Sequence, residues 1–173
     1  DYVYGAGIAF EEIAKRFVTE KETRENHVKR IVNLLGITPL DFGPISKVEE
    51  LKKNLEQYGW KIISTWAMGD TLEDLSNAGN AEVNLVVSSV GLRAARALKE
   101  KYGTPYVIGT PYKEYAERIS EALEKRIRLP ALEDRGKENL QGTGNSEKII
   151  TLIGEPVTTT SLAALIEKEY HYK

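Results

Sequence analysis

The chain has 173 residues, 24 basic and 26 acidic side chains, a formal charge of -2 and no cysteine. That length suits one domain with a sizeable core, burying on the order of 70% of the surface its unfolded form exposes. The balanced charge, without a long block of either sign, argues against nucleic acid or an anionic membrane as partner, and the missing thiols exclude disulfides and thiolate-held clusters within this chain.

His27 and His171 are far apart in sequence, which is no zinc-ligand spacing, and both read as surface residues. No apolar run reaches the length of a membrane span and no signal peptide is recognisable, which leads us to expect a cytoplasmic protein. The chain starts with Asp1 rather than methionine, so a piece of a longer polypeptide is expected.

The first element is a helix whose Phe10, Ile13 and Phe17 share a face. Gly5 and Gly7 resemble the start of a dinucleotide loop, but no strand precedes them and Phe10 stands where the third glycine belongs. Residues 27–37 form the first strand, through Val28, Ile31, Val32, Leu34 and Leu35; a loop punctuated by Pro39, Gly43 and Pro44 follows. Ser46 and Glu49 make a capping box for a helix striped by Val48, Leu51, Leu55 and Tyr58 and stopped by Gly59. Glu49, Glu50 and Glu56 fall on its solvated face. Residues 60–67 are the second strand, after which Asp70 or Thr71 caps a short helix carrying Leu72 and Leu75, with Asp74 in its favourable first turn.

Residues 81–108 hold a complete βαβ unit. Val83, Leu85, Val86 and Val87 form an apolar run without alternation, the mark of a strand covered on both faces. Ser88 and Ser89 follow, where hydroxyls can cap the free N–H groups of a helix striped by Leu92, Ala95, Leu98 and Tyr102. Gly103 and Pro105 end that helix before a fourth strand over 106–109, and Pro111 starts a helix with Tyr112, Tyr115, Ile119 and Leu123 on its core side. Asn84, inside a buried strand, must find hydrogen-bond partners and is expected to tie neighbouring loops together.

Residues 1–125 therefore read as one domain, 126–146 as an exposed linker at a candidate boundary, and 147–173 as a strand and helix that either add to the sheet or begin another domain. The fifth strand spans 147–155 and the fifth helix is capped from among Thr158 to Ser161. Five strands alternating with helices define an α/β class: a three-layer α/β/α Rossmann-like domain with an open parallel sheet. Ligands in such sheets sit at the carboxyl ends of the strands, where Asp70, Thr71, Ser88 and Ser89 gather. These four residues can hold an anion or cofactor through hydroxyls and helix N-termini, or they can be helix caps and nothing more. With no G-x-S-x-G, Walker or H-E-x-x-H motif, a self-contained hydrolase or nucleotidase is not indicated.

VNLLGITPLDFG, GDTLEDL and NAEVNLVVSSVGLRAARALKEKYGTPYVIGTPY, in that order and spacing, resemble the middle domain of nitrogenase component 1 proteins, the molybdenum-iron protein family. The resemblance covers residues 1 to about 125, and KIITLIGEP is similar to the opening strand of the next domain. It implies an oxidoreductase polypeptide made of three such domains, a second component 1 subunit, an iron-sulfur cluster in the full-length protein and an ATP-dependent iron protein as electron donor. In cofactor-carrying subunits, the strand similar to VNLVVS ends in an iron-ligating cysteine; here the position is Ser88, a far poorer ligand for such a cluster. No cofactor is therefore expected in the fragment itself, whose expected role is scaffold and pocket wall within an electron-transfer reductase, inactive alone. A stand-alone Rossmann-like small-ligand or nucleotide-binding module without redox activity, and a pure interface domain, are the competing readings.

Overall fold

The computed structural model describes residues 2–19, 30–126 and 150–170. His27, His171 and nearly all of the expected linker lie outside them. Four strands form the sheet: β1 (Ile31–Leu35), β2 (Lys61–Ser64), β3 (Val83–Val86) and β4 (Tyr106–Ile108). All pairings are parallel, in the order β2-β1-β3-β4. Parallel strands need covered faces, and every residue of β3 is buried.

The helices are α1 (Tyr2–Arg16), α2 (Pro39–Phe42), α3 (Ile45–Glu56), α4 (Leu72–Ser76), α5 (Leu92–Tyr102), α6 (Ala116–Lys125) and α7 (Pro156–Tyr170). Val48, Leu51 and Leu55 of α3, Ile119 and Leu123 of α6 and Ala164 of α7 pack on Val32, Leu34, Val83, Leu85 and Val107. Ala14 of α1, Leu75 of α4 and Ala94, Ala95 and Leu98 of α5 pack with Leu35 and Val86 on the opposite face. The chain moves from β1 to β2 in one direction along the sheet and from β3 to β4 in the other, so right-handed crossovers send α3 and α5 to opposite faces. The result is the expected three-layer, Rossmann-like arrangement, with a topological switch between β1 and β3.

Several local expectations are corrected. The described part of the fifth strand, 150–155, pairs with no strand, and Ile153 is 94% exposed. Bonds made by Glu155 draw this segment over the carboxyl ends of the strands instead of along an edge. The loop after β1 contains α2, capped by Thr38, whose hydroxyl accepts the Asp41 N–H, with Pro39 at the first position. The Ser46 capping box does not form: extended Pro44 opens α3 without a side-chain cap, and Glu49 pairs with Lys52 at 2.9 Å. β2 stops at Ser64 because Thr65 and Trp66 turn away, Trp66 in a left-handed conformation (φ 66°). Pro111 precedes α6 by a 3-10 turn, Lys113–Tyr115. Gly5 and Gly7 lie inside α1, with no strand before them among the described residues.

A polar row crosses the centre of the sheet beneath the turn Asn77–Asn80. Register places Asn33 beside both Ser64 and Asn84. The Asn33 amide donates to Asn84 Oδ1 at 2.8 Å and to the Ala78 carbonyl at 2.9 Å, and its own Oδ1 accepts the Ser64 hydroxyl at 2.7 Å. Asn84 thus takes part in tying the sheet to its neighbouring turn, with Asn33 as the hub.

Candidate functional site at the carboxyl rim

All strands run the same way, so the exits of β1, β2, β3 and β4 share one rim, and Asp70, Thr71, Ser88 and Ser89 lie on it. They do not form one constellation. Asp70 clamps the β2 exit: its carboxylate accepts the Thr65 N–H at 2.5 Å, the Trp66 N–H at 2.8 Å and the Thr65 hydroxyl at 2.8 Å. The clamp holds a turn in which Trp66 and Met68 both have positive φ, a conformation that non-glycine residues keep only when their surroundings impose it. Asp70 therefore caps a loop, whereas Thr71 caps α4.

Thr71 and Asp74 form the reciprocal capping box that the sequence suggested for this helix. The Thr71 N–H, followed by its hydroxyl, holds the Asp74 carboxyl below the usual aspartate range. A depressed carboxyl stabilises the fold above its unfolded-state pKa and loses that contribution as pH falls through the folded value. Amide exchange in α4 is expected to accelerate on acidification below the ordinary Asp value of 3.8, and Thr71→Ala is expected to move the Asp74 titration back toward it. Side-chain carboxyl NMR reads both; an unmoved Asp74 titration in the variant would refute the assignment.

Ser88 is fully buried and caps nothing. Its hydroxyl donates to the Gly36 carbonyl across the switch point at 2.7 Å. Gly36 (φ 98°) and Gly91 meet there backbone to backbone: a Cβ on Gly36 would lie 2.8 Å from Gly91 N, Ser88 O and Ser88 Oγ. A nucleotide-binding fold keeps this crevice open for its ligand. Here two glycines and a serine seal it.

Ser89 uses its backbone, donating its N–H to Glu155 Oε1 at 2.6 Å. Glu155 Oε2 accepts the Thr158 N–H at 2.8 Å, which makes Glu155 the side-chain cap of α7 in place of the threonines and serine expected. The remaining hydroxyls of this turn bond locally, Thr158 and Thr159 both donating to the Glu155 carbonyl. Ser161 Oγ accepts the buried Thr110 N–H at 2.9 Å, and the Thr110 hydroxyl donates to the Val87 carbonyl at 2.9 Å. Sequence reasoning missed Glu155, Thr110 and Ser161. Proline after an acidic residue marks a helix start, but glutamate is outside the usual N-cap set and the bond to Ser89 spans 66 residues.

A cleft of about 270 Å³ opens on the α3 side of the rim between Asp41, Asn54, Tyr112 and Thr158. Burial, then the Glu155 charge, pushes the Tyr112 phenol above its ordinary pKa. A larger cavity of about 550 Å³ lies at the amino ends of the strands, beside Arg30, Glu82, Thr104, Glu124 and Arg126. Its arginines pair with Glu124 at 2.5 Å and Glu82 at 3.6 Å, which leaves this end with neutralised charge.

The rim does not suit an iron-sulfur cluster. It has no thiol, the Ser88 hydroxyl is buried and committed to Gly36, and the Asp70, Asp74 and Glu155 carboxylates accept backbone N–H groups. Among the described residues no three histidine, aspartate or glutamate side chains converge on a metal position. No helix among them is long and apolar enough to cross a membrane.

A parallel sheet between two helical layers, with strand exits meeting at a switch point, defines a Rossmann-like α/β domain of an oxidoreductase type. The family model for nitrogenase component 1 type oxidoreductases matches residues 1–154, and the chain belongs to that family. One of the two subunits of light-independent protochlorophyllide reductase, from Chlorobium phaeobacteroides, is 36% identical over 105 residues, covering 59% of this chain and 19% of that protein. The protein of the same name from Tetradesmus obliquus is 31% identical over 163 residues, 90% of this chain and 28% of that protein. The chain thus spans less than a third of the length of these relatives.

Proposed function

We propose that this chain is the central domain of a nitrogenase-like component 1 subunit, acting as scaffold and as part of a cofactor or substrate pocket wall in an electron-transfer reductase. The observation that carries this reading is the sealed crevice between β1 and β3, where Ser88, Gly36 and Gly91 occupy the space a Rossmann-like binding module gives to its ligand. A domain closed there contributes the outer surface of its rim. Leu40 and Leu72, 71% and 78% exposed, offer apolar surface beside the β1 and β2 exits for neighbouring domains to cover.

In this reading the pocket is completed by the other domains of the polypeptide and by a second component 1 subunit. Cysteines outside this chain hold the iron-sulfur cluster, and an ATP-dependent iron protein supplies electrons in the cytoplasm. The stretches 126–146 and 147–173 then join this domain to the next. The test is anaerobic purification of the intact polypeptide, with iron and acid-labile sulfide analysis and calorimetric titration with nucleotides. Cluster iron without nucleotide binding at this domain is expected. Iron-free protein would overturn the reading, and nucleotide heat from that protein would establish the binding module instead.

A further inference from the structure

We propose that Glu155 is a latch that couples α7 to the β3 exit, so that displacing α7 rearranges the Ser88–Ser89 turn and one wall of the rim cleft together. The inference goes beyond the proposed pocket-wall role; its importance for a reductase rests on that reading, but the coupling is a property of the fold alone.

One carboxylate joins two elements distant in sequence: Oε1 takes the Ser89 N–H at 2.6 Å and Oε2 the Thr158 N–H at 2.8 Å. Backbone N–H groups bonded to a carboxylate are among the stronger protein hydrogen bonds. A second tie runs parallel to it, from Val87 through Thr110 to Ser161. The first turn of α7 is therefore fastened to the β3 exit by Glu155 and to the β4 exit by Ser161. Thr158, held by the latch, also lines the cleft with Asp41, Asn54 and Tyr112. On its other side the Ser89 turn continues into Ser88, whose hydroxyl reaches Gly36, so the chain of contacts runs from α7 through β3 to the β1 exit. A force that lifts α7 frees the Ser89 N–H, removes Thr158 from the cleft wall and loosens the seal in one event.

Hydrogen exchange on the purified full-length protein, resolved at Ser89, Thr110, Thr158 and the strand amides, tests the latch without any redox assay. Failure of the reductase reading would therefore leave the result interpretable. Glu155→Ala is expected to accelerate exchange at Ser89 and Thr158 by at least about tenfold, the scale set by losing a charge-assisted hydrogen bond. The β1 and β3 amides should be unchanged. Glu155→Gln, which keeps an acceptor oxygen and the side-chain volume, should fall between wild type and Glu155→Ala. Ser161→Ala cuts the second tie and never touches Ser89, yet it should speed exchange at both Thr110 and Ser89. Unchanged Ser89 exchange in Ser161→Ala would overturn the coupling, and so would a uniform rise across the strands in the Glu155 variants, which would make Glu155 a general stabiliser only.

Discussion

Gly91→Ala is expected to destabilise the domain by about 4 kcal/mol or more, a size confined to a few mechanisms, of which overpacking against fixed backbone is one. A Cβ at this position would overlap the Leu35 carbonyl and lie 2.6 Å from Gly36 N. These atoms cannot yield easily. Leu35 is the last residue of β1, paired in register with Val86, and the Val87 N–H donates to the Leu35 carbonyl at 2.9 Å. Gly36 is pinned from its other side by Ser88 and adopts a φ of 98°. Gly5→Ala supplies the contrast: its Cβ would meet nothing within 4 Å, and it sits inside α1. Alanine there is expected to be stabilising by up to about 1 kcal/mol, from helix propensity alone. Urea midpoints for the two variants separate the cases. If Gly91→Ala unfolds at the wild-type midpoint, the switch point is not sealed by backbone contact and the argument for a closed crevice is lost.

The features legible in the sequence were those carried by local pattern. The unit 81–108 was readable because Val83–Val86 is apolar without alternation and the α5 stripe recurs at helical spacing up to Gly103, which takes the left-handed φ of 71° expected of a helix stop. The box at Thr71 was readable for the same reason, since donor and acceptor lie three residues apart. The Ser46 box had the same spacing and failed because Pro44 fixed the entry to α3. What stayed hidden depends on partners remote in the chain. Ser88 looked like a cap, yet its acceptor is 52 residues away. The run Ile150, Leu152, Ile153 looked like a strand, but a strand needs an edge to pair with, and Glu155 fixes the segment elsewhere. Asp70 was found in the right place with the wrong task, because nothing local shows that Trp66 and Met68 need a clamp.

Asn33→Ala is the second substitution expected to cost about 4 kcal/mol, and its origin is polar where that of Gly91 is steric. Asn33, Ser64 and Asn84 are all buried, at 0%, 1% and 0% exposure, so water cannot replace a lost partner. Removing the Asn33 amide strands the Ser64 hydroxyl, Asn84 Oδ1 and the Ala78 carbonyl at once. Each buried polar group left without a partner costs about 1–3 kcal/mol, although small shifts recover part of the sum. Asn84→Ala should behave differently despite equal burial. Asn84 Nδ2 has no acceptor among the described residues, so truncation deletes an unsatisfied donor along with a single hydrogen bond, and a loss near 1 kcal/mol is expected. Denaturant unfolding of both variants, with the m-value checked for constancy, measures the difference. Equal losses would mean that apolar packing alone holds the centre of the sheet. A larger loss at Asn33 identifies this amide as the fastening between β1, its two neighbours and the turn above them, which keeps the strand exits in register at the rim.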